Sequence, residues 1–180
     1  MAHTKAVLMD ELTLGRTVMR MAHEIVEKNR GVEDLVLVGV HSRGAPLAAM
    51  LQHNIARIEG VQVPCGTLDI SYYRDDRVRH AAPPVFNRAE MPFDIVDKKV
   101  VLVDDVLFTG RTVRAAIEAV FSLGRPRSIQ LAILVDRGHR ELPIRADYVG
   151  KSIPTSLQER VAVRLPGFDS TTGVELVEEP

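Results

Sequence analysis

The chain has 180 residues, 46% of them apolar, which is long enough to bury a substantial core and short enough to be one domain over residues 1–180. Its 23 Lys and Arg against 24 Asp and Glu leave a formal charge of −1, which excludes a general attraction to nucleic acid or membrane. A single cysteine excludes an internal disulfide, and no apolar run approaches the ~20 residues of a membrane span, so a soluble, cytoplasmic protein is expected.

Between residues 10 and 29, Leu14, Val18, Met21, Ala22 and Ile25 recur at helical spacing and predict a helix with one buried face, stopped by Gly31. Arg16, Arg20 and His23, continued by Glu27, line the opposite face. Residues 35–40 form a continuous apolar run, the pattern of a strand covered on both faces in a parallel sheet. A helix over 45–58 and a strand over 62–70 follow, with Cys65 reading as a small buried side chain near a turn. Residues 71–94 contain Pro83, Pro84 and Pro92, many charges and no period, as expected for a lid loop. Residues 99–103 and 129–135 repeat the buried-strand pattern on either side of a helix over 112–123, which Gly124 and Pro126 close. This alternation predicts an open, mostly parallel twisted sheet with helices on both faces.

Ligands of such sheets bind beyond the carboxyl ends of the strands, where residues 99–103 lead into Asp104 and Asp105. Two adjacent carboxylates suit sugar hydroxyls or a hydrated metal. The following segment, Val106, Leu107, Phe108, Thr109, Gly110, Arg111 and Thr112, runs into a helix N-terminus whose unpaired N–H groups favour a phosphate. Either half alone reads as an ordinary strand cap or helix start; together they are far more specific. The span from Gly39 to Gly44 has the outer glycines of a P-loop without the Lys-Ser/Thr that completes one, and no Gly-x-Gly-x-x-Gly is present. His139, Arg140, Arg145 and Lys151 form one basic cluster, and Arg16, Arg20 and His23 another; both also fit solvated faces with local ion pairs.

Residues 100–112, Val-Val-Leu-Val-Asp-Asp-Val-Leu-Phe-Thr-Gly-Arg-Thr, resemble the phosphoribosyl pyrophosphate signature of type I phosphoribosyltransferases. Residues 38–44, 69–76 and 134–151 resemble the PyrR family in particular, with the block around His139-Arg140 as the discriminating feature. Residues 78–88 and the acidic tail after Leu165 carry the resemblance least. It departs at His41-Ser42, where a Thr often precedes the Arg, and at Met19.

The resemblance implies the type I phosphoribosyltransferase fold with a small hood, uracil phosphoribosyltransferase activity, and pyrimidine-responsive attenuation through leader mRNA. It implies that Asp104 and Asp105 contact ribose hydroxyls and that Thr109 to Thr112 hold the 5′-phosphate. Ser42, Arg43 and Gly44 match the pyrophosphate loop, with Arg74 joining from the lid. No residue is singled out as a metal ligand; Mg²⁺ is implied through pyrophosphate and ribose hydroxyls. Asp136, Arg137, Val161 and Ala162 are implied around the base, although Asp136 and Arg137 read equally well as a salt-bridged turn. Arg20, His23, His139, Arg140, Arg145 and Lys151 are implied as RNA contacts, UMP or UTP as effector, and a homodimer or higher oligomer as the assembly. The alternatives are a non-catalytic nucleotide sensor that binds RNA, and a purine phosphoribosyltransferase.

Overall fold

The computed structural model describes residues 3–71 and 89–178. Strand β1 (His3–Met9) leads into helix α1 (Glu11–Asn29), and then β2 (Leu35–Val40), α2 (Gly44–Glu59) and β3 (Cys65–Leu68) follow. After β4 (Ala89–Glu90) come β5 (Lys99–Leu107), α3 (Arg111–Leu123), β6 (Ser128–Asp136), β7 (Tyr148–Ser152), β8 (Glu159–Arg164) and β9 (Gly173–Glu178). Six strands form one sheet in the order β4-β3-β2-β5-β6-β7, and β1-β9-β8 form a second. In the larger sheet β3, β2, β5, β6 and β7 run parallel, and β4 is antiparallel at the edge.

The five apolar residues that predict α1 are its buried face. Asp10 caps it, its Oδ1 accepting from the Thr13 N–H at 2.7 Å. Arg30 and Gly31 end it with positive φ, as a helix stop at Gly31 requires. The central strands serve two cores because side chains alternate along a strand. Leu35 and Leu37 of β2, with Val101 and Val103 of β5, face α1, α2 and the second sheet. Val36 and Val38, with Val100 and Leu102, face α3. A network of Asn29, Gln130 and Tyr148, with hydrogen bonds of 2.6–3.1 Å, fastens α1 to β6 and β7. Burial pushes the Tyr148 hydroxyl up to about 12, so it stays a neutral donor.

Three expectations need adjusting. The strand predicted over 62–70 is confined to Cys65–Leu68, starting after Pro64, which has no N–H for the ladder. Burial pushes the Cys65 thiol there up to about 11, in line with an inert side chain. The lid predicted over 71–94 lies mainly outside the described residues, but its end is anchored: Ala89 and Glu90 pair with Leu68 and Thr67, and Met91 and Phe93 pack on the core beneath α3. The tail after Leu165 supplies β9, the middle strand of the second sheet. No helix among the described residues is long and apolar enough to cross a membrane.

Candidate functional site

β5 extends past Val103 to Leu107, so Asp104 and Asp105 lie within the strand rather than beyond it. The ladder continues because β6 runs alongside, with Asp104 opposite Ile133 and Leu107 opposite Asp136. Asp104 is buried and Asp105 half-buried. Each carboxylate accepts from the next backbone N–H, Asp104 from Asp105 at 2.9 Å and Asp105 from Val106 at 2.8 Å.

The chain then turns at Gly110, whose φ of 92° favours glycine, and enters α3 one residue earlier than expected. No side chain caps α3 and its first turn holds no acid, so its N–H groups and dipole suit an anion. Residues 106–113 and Glu141 enclose a cavity of about 460 Å³ there.

Two glycines let the loop after β2 lie against β5. A Cβ on Gly44 would meet the Val103 carbonyl oxygen at 2.4 Å, and one on Gly39 would meet the Gly44 carbonyl oxygen at 2.5 Å. The span from Gly39 to Gly44 therefore reflects close backbone approach. Arg43 reaches away from that contact: its Nε donates to the Val163 carbonyl at 2.7 Å, an Nη to Asp169 at 2.8 Å, and the Phe168 ring lies 5.4 Å away. Ser42 is exposed beside it, after a cis His41-Ser42 peptide. Arg74, expected here too, lies outside the described residues.

At the end of β6, Arg137 is 6% exposed and stacks on the Phe108 ring at 4.0 Å, while donating to Thr155 Oγ1 at 3.1 Å and the Ser156 carbonyl at 2.8 Å. Burial lowers its pKa, and the charge of Glu159 opposes that shift. Asp136 accepts from the Gly138 N–H at 3.0 Å and from Arg140 at 2.5 Å, so its carboxylate is held in a turn. The Val161 side chain belongs to the core, with Ala162 half-buried beside it.

The cations expected at RNA divide in two. Arg20 donates to the Gly150 carbonyl at 2.6 Å and pairs with Glu24 at 2.7 Å, which puts the α1 ridge beside Lys151 on β7. His23, Arg145 and Lys151 are exposed. His139, also exposed, lies instead over the end of β6, its Nε2 2.6 Å from the Thr155 carbonyl oxygen and its ring edge-on to Phe108. Arg140 is 23% exposed and turned inward.

Sequence reasoning missed Thr155 and Asp169, and it offered Glu141 as a local partner of Arg140, whereas Glu141 pairs with Arg111 and Arg140 with Asp136. Nothing in spacing reports which carboxylate meets which arginine.

Residues 8–164 match the phosphoribosyl transferase domain family. Over 176 residues the chain is 54% identical to the bifunctional protein PyrR of Deinococcus radiodurans, covering 98% of this chain and 96% of that protein. Against the bifunctional protein PyrR of Caldicellulosiruptor bescii it is 58% identical over 167 residues, 93% of this chain and 92% of that one. The chain belongs to the PyrR family. It is thus a phosphoribosyltransferase by descent, and the loop from Asp104 to Thr112 lies inside the matched domain. The hypoxanthine phosphoribosyltransferase of Trypanosoma cruzi has the same fold, with a TM-score of 0.74 over 98% of both chains at 20% identity. This member of the PyrR family therefore shares with that enzyme the type I phosphoribosyltransferase architecture.

Proposed function

We propose that this protein transfers the phosphoribosyl group of phosphoribosyl pyrophosphate to uracil, releasing pyrophosphate, and binds pyrimidine-operon leader mRNA in a manner governed by uridine nucleotides. The observation that carries the first half is an uncapped helix N-terminus that closes on a cavity directly after the two adjacent carboxylates of β5, in a chain of the PyrR family. The N–H groups of residues 109–112 and the hydroxyls of Thr109 and Thr112 hold the 5′-phosphate. Asp104 and Asp105 accept from the ribose hydroxyls. As the bond from the anomeric carbon to pyrophosphate breaks, its electron pair leaves with pyrophosphate and positive charge grows on the ribose, which the two carboxylates stabilise. Uracil N1 forms the new bond to the anomeric carbon, and its proton passes to the departing pyrophosphate or to solvent. Arg43, and Arg74 from the lid over 71–94, take the charge of the leaving group. Among the described residues no group of three or more His, Cys, Asp or Glu could hold a metal alone. The hard oxygens of Asp104 and Asp105 nevertheless suit Mg²⁺ completed by pyrophosphate and ribose hydroxyls, where it would supply charge neutralisation. Asp136, Arg137, Val161 and Ala162 frame the base through backbone and stacking.

RNA meets the face carrying Arg20, His23, Arg145 and Lys151. The reaction takes place in the cytoplasm, in a homo-oligomer.

One observation favours a second reading, a nucleotide sensor without turnover: Arg43 is engaged by Asp169 and Val163 rather than turned toward the phosphate loop. Pyrophosphate release from phosphoribosyl pyrophosphate, assayed with uracil, hypoxanthine, guanine and orotate side by side, separates the readings. Release with uracil alone is expected; release with none marks the sensor, and release with a purine marks the wrong base.

A further inference from the structure

Residues 140–144 hold four consecutive residues of the phosphate loop. Arg140 Nη1 donates to the Phe108 carbonyl at 2.8 Å. The N–H groups of Glu141 and Leu142 donate to the Thr109 carbonyl at 2.9 and 3.2 Å. Ile144 and Leu142 lie 3.4–3.5 Å from where a Gly110 Cβ would stand, and Glu141 pairs with Arg111 at 2.7 Å. Arg140 anchors this contact, since its Nε also donates to the Ile144 carbonyl at 2.9 Å and its Nη2 to Asp136 at 2.5 Å.

A guanidinium committed to three fixed acceptors in a planar fork is a strut. To reach RNA it would have to release both the Phe108 carbonyl and the Asp136 carboxylate. The same segment runs on through exposed Arg145 into β7, where Lys151 lies next to the Gly150 carbonyl that Arg20 holds. A phosphate entering the cavity competes with Glu141 for Arg111, so occupancy at one end of residues 140–151 bears on the cations at the other.

We propose that Arg140 is a positioning residue that links the nucleotide phosphate loop to the RNA face, and is not itself a contact to RNA phosphate. This rests on the reading of both sites given above. A lysine at position 140 keeps the charge and loses the fork, which separates geometry from electrostatics.

The experiment measures affinity for a labelled pyrimidine-operon leader transcript, with and without UMP and across a salt series, for the wild type, Arg140→Lys, Arg140→Gln and Arg145→Ala. The ratio of the two affinities reports the linkage, and the logarithmic salt slope reports phosphate contacts. In both Arg140 variants the ratio is expected to collapse toward one while the slope without UMP stays at the wild-type value. Arg145→Ala is expected to lower the slope by ~0.7 and keep the ratio. A ratio retained in either Arg140 variant overturns the proposal, as does a slope that falls by ~0.7 in Arg140→Gln and is restored in Arg140→Lys. A wild type whose affinity ignores UMP sinks the linkage reading itself, and Arg140's role with it. Circular dichroism of each variant shows whether the fold is kept, and Arg140→Lys, the smaller change, decides alone if Arg140→Gln unfolds.

Discussion

Arg43 and Asp169 meet at 2.8 Å, and this pair ties the loop between β2 and α2 to the turn between β8 and β9. The Leu165 N–H, and behind it Arg43, hold the Asp169 carboxyl below the ordinary carboxylate range. A carboxyl whose folded pKa is depressed contributes stability that is full above its unfolded value near 4 and is lost as pH falls through the lower folded value. The midpoint of thermal unfolding should therefore fall from about pH 5 downward, and less steeply in Asp169→Asn. Parallel pH profiles for the two proteins would show that the pair does not couple to folding.

Gly44→Ala would drive a Cβ to 2.4 Å from the Val103 carbonyl oxygen, which is backbone and cannot swing aside. The expected cost is ~1–3 kcal/mol in urea unfolding, with the start of α2 displaced from β5. Unchanged stability would mean that the loop stands further from β5 than described.

Asp104→Asn and Asp105→Asn remove charge and keep shape, since the amide oxygen still accepts the neighbouring N–H. Turnover of uracil should drop by about 10²-fold or more in each, with ~1 kcal/mol or less lost in folding. Near-normal rates in both would take the pair out of the mechanism.

Glu141 is a carboxylate at the mouth of a cavity suited to phosphate, paired with Arg111 in a contact where the two side chains are 53% and 38% exposed. Screening at that exposure limits the pair to ~1 kcal/mol, so Glu141→Gln should tighten UMP by up to about fivefold in calorimetry. Weaker UMP binding would mean that Glu141 holds the loop open rather than competing for Arg111.

At the face proposed for RNA charge was legible, and charge does not say which way a side chain turns. Arg145→Ala should weaken leader RNA most at low salt and flatten the salt dependence by ~0.7 in the logarithmic slope. Equal affinity at every salt concentration would make that face an ordinary solvated one.

Much of the larger sheet could be read in advance because its strands are buried on both sides and its helices on one. Leu35–Val40 is buried throughout, and α1 buries the five residues its period picks out. Asp104 and Asp105 looked like the end of a strand because polarity usually marks one; here β6 pairs past them. β8 and β9 were missed because each is six residues long and carries Arg or Glu among its apolar positions. In the site, types of residue were legible and partners were not. Arg43 and Arg140 both read as cations available to a ligand, yet Arg43 is held by Asp169 and Arg140 by Asp136, 126 and 4 residues away.

The placement of β9 between β1 and β8 sets an order of events during synthesis. β1 is made before every other strand described, and its partner β9 begins only at Gly173. The six-stranded sheet needs nothing beyond Ser152, so it can close while β1 still presents an unpaired edge. For that interval the nascent chain carries a free strand that any other extended segment could join, and a chain released before Gly173 would keep it permanently.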